Sequence, residues 1–299
     1  MNTQQFNQAL QDIQQDRTQG ASALARQCLG VLAASARDAV ACDTQALLGL
    51  LDNRRQQLSA SRPSMTPVQN LLDHWWHGVR SLADMSLSQC RLEAATEAER
   101  WIERSKSALS QAAEQAAVFI GGHKTLITHS LSGTVVELFQ RLKGSHVQAL
   151  VSESRPLNEG YSLARQLSEW QIPTRLLTDA QMGLFAPQAD IALVGADSLL
   201  PDGSLVNKAG TLLLALAARE AAIPFCVCCE SFKQRTPAMG PPLLETMPVD
   251  ELGAPSLPGV QVNNTYFDIT PARLIDYWID ENGVYSEPAP SSAPVKPDH

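Results

Sequence analysis

Four short stretches in the second half of this 299-residue chain set polar side chains directly after apolar runs. In the first, Thr128-His129-Ser130-Leu131-Ser132-Gly133-Thr134, hydroxyls and a glycine precede an amphipathic segment. Such residues at a helix mouth either cap the first turn or leave its N–H groups, at the positive end of the helix dipole, to an anion. Ser130 and Ser132 fit both uses. In the second, Glu153-Ser154-Arg155-Pro156-Leu157-Asn158-Glu159-Gly160, Arg155 offers a two-pronged contact to phosphate from a loop fixed by Pro156. Its plainer use is a surface pair with Glu153 or Glu159.

The third stretch, Gly195-Ala196-Asp197-Ser198, places a carboxylate where a ligand hydroxyl or a transferable proton would lie, or where a turn needs a cap. Downstream, Asn207-Lys208-Ala209-Gly210-Thr211 brings an amide, an ammonium and a close-approach glycine, a set suited to a phosphate or a sugar hydroxyl. Asp197 followed by Asn207 and Lys208 is the most specific grouping in the chain. The fourth, Glu230-Ser231-Phe232-Lys233, presents Lys233 either to an anion or, more simply, to solvent.

These residues need a scaffold that gathers strand ends. From Lys124 onward short apolar runs alternate with amphipathic segments. Strands are expected at Thr125–Thr128, Val147–Val151, Thr174–Leu177, Ile191–Val194 and Phe225–Cys229. Helices are expected at Gly133–Leu142, Glu159–Trp170, Ala180–Phe185 and Lys208–Ala221. That alternation predicts a Rossmann-like parallel sheet with helices on both faces and a ligand site at the carboxyl ends of the strands. The first 120 residues read as helices instead, at Gln8–Gln15, Ala21–Ala34, Thr44–Leu58, Val68–Ala83 and Leu92–Phe119. The expected organisation is therefore α/β: a helical domain over 1–120, a Rossmann-like domain over 121–285, and a Pro- and Ser-rich disordered tail over 286–299. The Pro- and Gly-rich stretch from Thr236 to Gly259 is expected to run over the surface.

A net charge of −8 argues against a nucleic-acid partner, which demands clustered Lys and Arg, but leaves room for a small anionic metabolite. No apolar run approaches a membrane span and no basic-then-apolar leader opens the sequence, so a cytoplasmic location is expected. Cys226, Cys228 and Cys229 sit in an apolar run that reads as a buried strand; zinc would need a second ligand pair, so neither a metal nor a redox cofactor is expected. Trp75-Trp76, between His74 and His77, reads as core or dimer contact. Phe267-Asp268-Ile269-Thr270-Pro271 reads as a segment packed over the sheet, with Thr270 capping a helix that begins at Pro271 and Asp268 free to approach the pocket from a partner subunit.

The four stretches, with Asp202-Gly203 and Phe267–Pro271, resemble the superfamily of initiation factor 2B alpha/beta/delta regulatory subunits, methylthioribose-1-phosphate isomerase and ribose-1,5-bisphosphate isomerase. Gly20-Ala21-Ser22 and Arg62-Pro63-Ser64 resemble that family's two N-terminal ligand-facing motifs, so the likeness runs from about Arg17 to Gly283. It implies a ligand pocket between the domains, with Gly20, Ala21, Ser22, Arg62, Ser132, Arg155, Asn207, Lys208 and Lys233 around the ligand, and a homodimer formed largely through the C-terminal domain. In the isomerases a Cys and an Asp carry the chemistry. The Asp corresponds to Asp197 and the Cys to Ser130, whose hydroxyl is far less acidic than a thiol.

Three functions follow from that departure. The first is binding of a phosphorylated sugar or nucleotide without efficient isomerase chemistry. The second is aldose-1-phosphate isomerisation, of the ribose 1,5-bisphosphate type, driven by Asp197. The third is a protein-interaction regulatory subunit.

Overall fold

The computed structural model describes residues 1–288; the expected tail, from residue 289 on, lies outside the described residues. The chain forms two compact units, residues 1–108 and residues from 109 onward, where the sequence placed a boundary at residue 120.

The first unit contains α1 (Thr3–Gln15), α2 (Ala21–Asp38), α3 (Thr44–Ser59), α4 (Thr66–Val79) and the start of α5 (Leu87–Ile120), inside which the division falls. Its helix starts carry recognisable signals. Asn2 and Gln5 form a reciprocal capping box on α1, Asp43 accepts from Ala46 N on α3, and Pro67 sits in the first turn of α4. Leu24, Cys28, Leu29 and Leu32 on α2 and Leu71, Leu72 and Trp75 on α4 are all fully buried, the helical spacing expected of two packed faces. Trp75 donates its Nε1–H to Ala94 O at 2.9 Å, and His74 stacks on Trp101, so this aromatic group is core and surface packing.

The second unit is built on a seven-stranded sheet. Its strands are β1 (Thr125–Thr128), β2 (Gln148–Ser152), β3 (Thr174–Leu177), β4 (Ile191–Val194), β7 (Phe225–Cys228), β9 (Tyr277–Asp280) and β10 (Gly283–Tyr285), in spatial order β10-β9-β7-β4-β1-β2-β3. All neighbours are parallel except β9 and β10. Along each strand alternate residues feed two cores. Leu126, Val151, Leu193 and Cys226 pack on one face under α5, α6 (Gly133–Arg141) and α7 (Glu159–Glu169). Ile127, Leu150, Val194 and Val227 pack on the other under α8 (Met182–Phe185) and α9 (Thr211–Glu220). Strands buried on both faces explain why they read as continuous apolar runs. The chain leaves β1 toward β2 and β3, then returns to the opposite side at β4, so the topological switch lies between β1 and β4.

A second, antiparallel sheet of β5 (Ser198–Leu199), β6 (Leu205–Lys208) and β8 (Phe267–Thr270) departs from expectation. Asn207 and Lys208 end a strand rather than open a helix; α9 begins only at Thr211, after Gly210 takes φ +112°. Thr270 likewise ends β8, and a single short 3-10 turn (Ala272–Leu274), not a helix, follows Pro271. The physical reason is non-local: β6 is paired along its whole length by β8, a partner distant in sequence.

Candidate functional site

At the switch point, β1 runs into Ser130 and then α6. Ser130 has a left-handed backbone, φ +69°, and its N–H donates to Ser154 Oγ at 2.6 Å. Ser132 occupies the N-cap position of α6, yet its side chain makes no capping hydrogen bond and the first turn contains no acidic residue. Across the switch, a methyl group added to Gly195 would stand 2.2 Å from Ser132 Oγ, so glycine there lets the loop after β4 close onto the mouth of α6. Asp197, two residues on, is half-buried and donates its backbone N–H to Val206 O at 3.0 Å.

Both lysines expected at the site are present, and both are paired. Lys208 Nζ lies 2.5 Å from Glu159 Oε1 and 4.1 Å above the Tyr266 ring. Lys233, 4% exposed rather than on the surface, lies 3.0 Å from Glu230 Oε2, and Thr134 of α6 donates to the same oxygen at 3.3 Å. Burial opposes the charge on Lys233, but its neighbours, Glu230 foremost, outweigh it and hold the ammonium above its ordinary pKa. Asn207 turns its amide to Thr211 Oγ1 at 3.0 Å.

The N-terminus of α9, at Thr211, is already filled. Asp268 accepts from Gly210 N at 2.7 Å and Leu212 N at 3.1 Å, so it caps α9 within its own chain. Burial pushes its carboxyl above the usual range, against those hydrogen bonds.

His129 is the hub between strand ends. Its Nε2–H donates to Ala209 O at 2.9 Å, which leaves Nδ1 as the acceptor for Ser152 Oγ at 2.6 Å. With both nitrogens engaged, the imidazole supplies no base to Ser130. Burial drives its pKa down, with Asp179 opposing. Asp179 itself accepts from Ser154 N and Arg155 N, each at 2.8 Å, tying β3 to the loop after β2. Sequence reading missed Asp179 altogether, and it missed Glu159 and Glu230 as the partners of the two lysines. A carboxylate just beyond a strand, as with Asp179 after Leu177, was the available signal.

Arg155 is exposed and donates from Nη2 to Leu252 O at 2.7 Å. The remaining expected residues belong to the helical unit. Gly20 is the N-cap of α2, Ala21 and Ser22 open it, and Ser22 Oγ is buried without a hydrogen-bond partner. Arg62, 4% exposed, donates to Asp16 O at 3.0 Å in the loop leading to Gly20, which brings the two N-terminal groups together.

A scan of known families matches residues 17–287 to the initiation factor 2 subunit family. The chain belongs to that family. A translation initiation factor eIF-2B subunit 2-like protein of Pyrococcus horikoshii is 33% identical over 282 residues, covering 93% of this chain and 95% of the relative. A ribose 1,5-bisphosphate isomerase of Haloferax volcanii is 28% identical over 274 residues, 89% and 84% of the two chains. Among solved structures, the Pyrococcus horikoshii translation initiation factor eIF-2B superposes with a TM-score of 0.81 at 31% identity, covering 95% of this chain and 98% of that one. These matches confirm the resemblance carried by the strand-end motifs and the fold class expected from the strand–helix alternation.

Within this initiation factor 2 family member, three cysteines of the second unit serve the core. Cys226, Cys228 and Cys229 are at most 1% exposed, and burial pushes the Cys226 thiol up to about 12. No group of three or more His, Cys, Asp or Glu able to hold a metal occurs among the described residues. No described helix is long and apolar enough to cross a membrane. A cavity of about 30 Å³, lined by Leu199, Val227, Trp278 and Tyr285 among others, lies beside the small sheet and includes none of the expected site residues.

Proposed function

We propose that this chain is an initiation factor 2B-like protein that binds a phosphorylated sugar or nucleotide, with the phosphate at the mouth of α6 and without efficient isomerase chemistry. The observation that carries the reading is the uncapped first turn of α6 at the β1/β4 switch, facing the loop of Asp197 across Gly195. Helix N-termini at such a switch are anion sites by geometry and by dipole. Of the other helix starts on this side, α9 is filled by Asp268, and α7 carries Glu159 in its first turn. Ser130 supplies a hydroxyl at the mouth, and the engaged His129 supports the view that it is not activated as a proton donor. A homodimer through the second unit is part of the proposal.

The second reading is an active aldose-1-phosphate isomerase, as the Haloferax volcanii relative is named. What supports it is the Asp197 carboxylate, half-buried just beyond β4 and acting to keep Lys233 charged. One set of measurements separates the two. Thermal stabilisation is recorded against ribose 1,5-bisphosphate, methylthioribose 1-phosphate, hexose phosphates and AMP, followed by turnover assays on every hit. A ligand at a hundredfold excess over its dissociation constant adds about 2.7 kcal/mol. Stabilisation without turnover, with turnover gained in Ser130→Cys, supports binding alone. Turnover by the unaltered protein that Asp197→Asn abolishes overturns it in favour of the isomerase. Stabilisation by none of the panel shifts the reading to a protein-interaction subunit.

A further inference from the structure

Glu230 lies two residues beyond β7 and is wholly buried, 0% exposed. One of its oxygens meets both Lys233 Nζ, at 3.0 Å, and the Thr134 hydroxyl, at 3.3 Å. Thr134 belongs to the first turn of α6, and Lys233 is close enough to Asp197 for that carboxylate to act on its charge. A single carboxylate therefore connects the helix start and the buried ammonium.

We propose that Glu230 is a positioning residue: it keeps Lys233 charged and holds that charge beside Thr134 in the first turn of α6. The inference rests on the anion-binding reading given above. An ammonium as buried as Lys233 is driven toward the neutral amine unless a counter-charge holds the proton on it. A neutral amine there would give an incoming anion no attraction. The other groups around the pair do not replace Glu230. Thr134, from α6, is uncharged. Asp197, beyond β4, is half-buried. Cys229, on the β7 side, is a buried thiol whose pKa burial raises. Glu281, at the end of β9, is taken by Ser231 N at 2.9 Å and Ser231 Oγ at 2.5 Å, and burial raises its carboxyl. The Asp280 carboxyl, also raised by burial, accepts from Asn282 N at 2.7 Å. Burial is the largest influence on Lys233 and lowers its pKa; Glu230 is the largest of the influences that restore it.

The test is Glu230→Gln, which keeps the shape and removes the charge. Binding of inorganic sulfate, whose own charge is constant over the range, is measured calorimetrically from about pH 7 to about pH 9.5. The unaltered protein is expected to bind with near-constant affinity, because Lys233 stays protonated. Glu230→Gln is expected to lose about tenfold in affinity as the pH rises, because the stranded ammonium gives up its proton. A ligand-free readout runs beside it. With its folded pKa depressed below the unfolded value, Lys233 in the variant makes the folded state less stable at neutral pH, and that deficit shrinks as the pH rises. Melting temperatures of variant and unaltered protein should therefore converge toward alkaline pH. Parallel melting curves and parallel binding profiles would overturn the proposal. Sulfate binding to neither protein would remove the anion-binding reading and the site role with it, while converging melting curves would still assign Glu230 as the charge partner of Lys233. If Glu230→Gln does not fold, Glu230→Gln with Lys233→Met removes the stranded charge and should fold. Failure of that double variant would make Glu230 a requirement of the fold itself and overturn the proposal.

Discussion

Gly160, in the first turn of α7, is the point at which the scaffold bears hardest on the site. A methyl group added there would stand 1.8 Å from Ser152 O and 2.9 Å from Ser152 C, all backbone of β2, so no side chain can swing aside. Relieving the contact in Gly160→Ala takes on the order of 1.5 Å of separation between α7 and β2. Overpacking of this kind costs about 1–3 kcal/mol. The separation also breaks the bond from Gly160 N to Glu153 O, 3.1 Å in the structure, worth about 1 kcal/mol. The total is therefore about 2–4 kcal/mol. Hydrogen exchange of the β1 and β2 amides in urea reads the loss in this unit separately from the helical one. Gly30→Ala is the contrasting control: Gly30 lies inside α2 with nothing within 4 Å of the added methyl, and the change should stabilise by about 0.5–1 kcal/mol. A loss below about 1 kcal/mol in Gly160→Ala would refute the argument, since overpacking alone accounts for that much.

Asp268→Ala removes the cap of α9 and should lower stability by about 1–2 kcal/mol in urea unfolding, with Asp268→Asn retaining part of it. His129 has a folded pKa below its unfolded value, so its contribution to stability is full above about pH 6.5 and falls as the pH drops through that value, by at most about 1.4 kcal/mol per pH unit. In His129→Gln that segment of the stability-against-pH curve should flatten; an unchanged slope would show that other groups set it. Arg155→Ala should leave stability within about 0.5 kcal/mol, because the side chain is exposed and holds only backbone carbonyls, while weakening any phosphate ligand that the thermal panel identifies.

Five of the parallel strands were legible because each is a short apolar run closed by polar residues. β1, β3 and β4 fall where the sequence places them, and β2 and β7 within a residue. Helices announced by caps, such as α3 behind Asp43, were equally legible. What was hidden depends on distant pairing. Asn207-Lys208 before an apolar run looks like a first helical turn; only the ladder to β8 makes it a strand. β9 and β10 complete the sheet edge by pairing with each other and with β7, and neither has an amphipathic helix beside it to mark it as part of the alternation.

The same limit governs the site. Ser130, Ser132, Asp197 and Lys233 do follow strands of the seven-stranded sheet, and Lys208 ends a strand of the small one. Reading them as a cationic shell counted the lysines without their partners. Lys208 answers to Glu159 at the start of α7, and Lys233 to Glu230 from its own turn, so each lysine comes with a carboxylate. A buried ammonium requires such a partner, and that requirement can be applied to a sequence by itself. Applied here, it shifts the expected phosphate contact from the lysines to backbone donors. Among the helix starts at the strand ends, α9 is closed by Asp268 and α7 begins with Glu159, which leaves α6, whose first-turn backbone N–H groups no acidic residue of that turn faces, as the start the proposed anion would take.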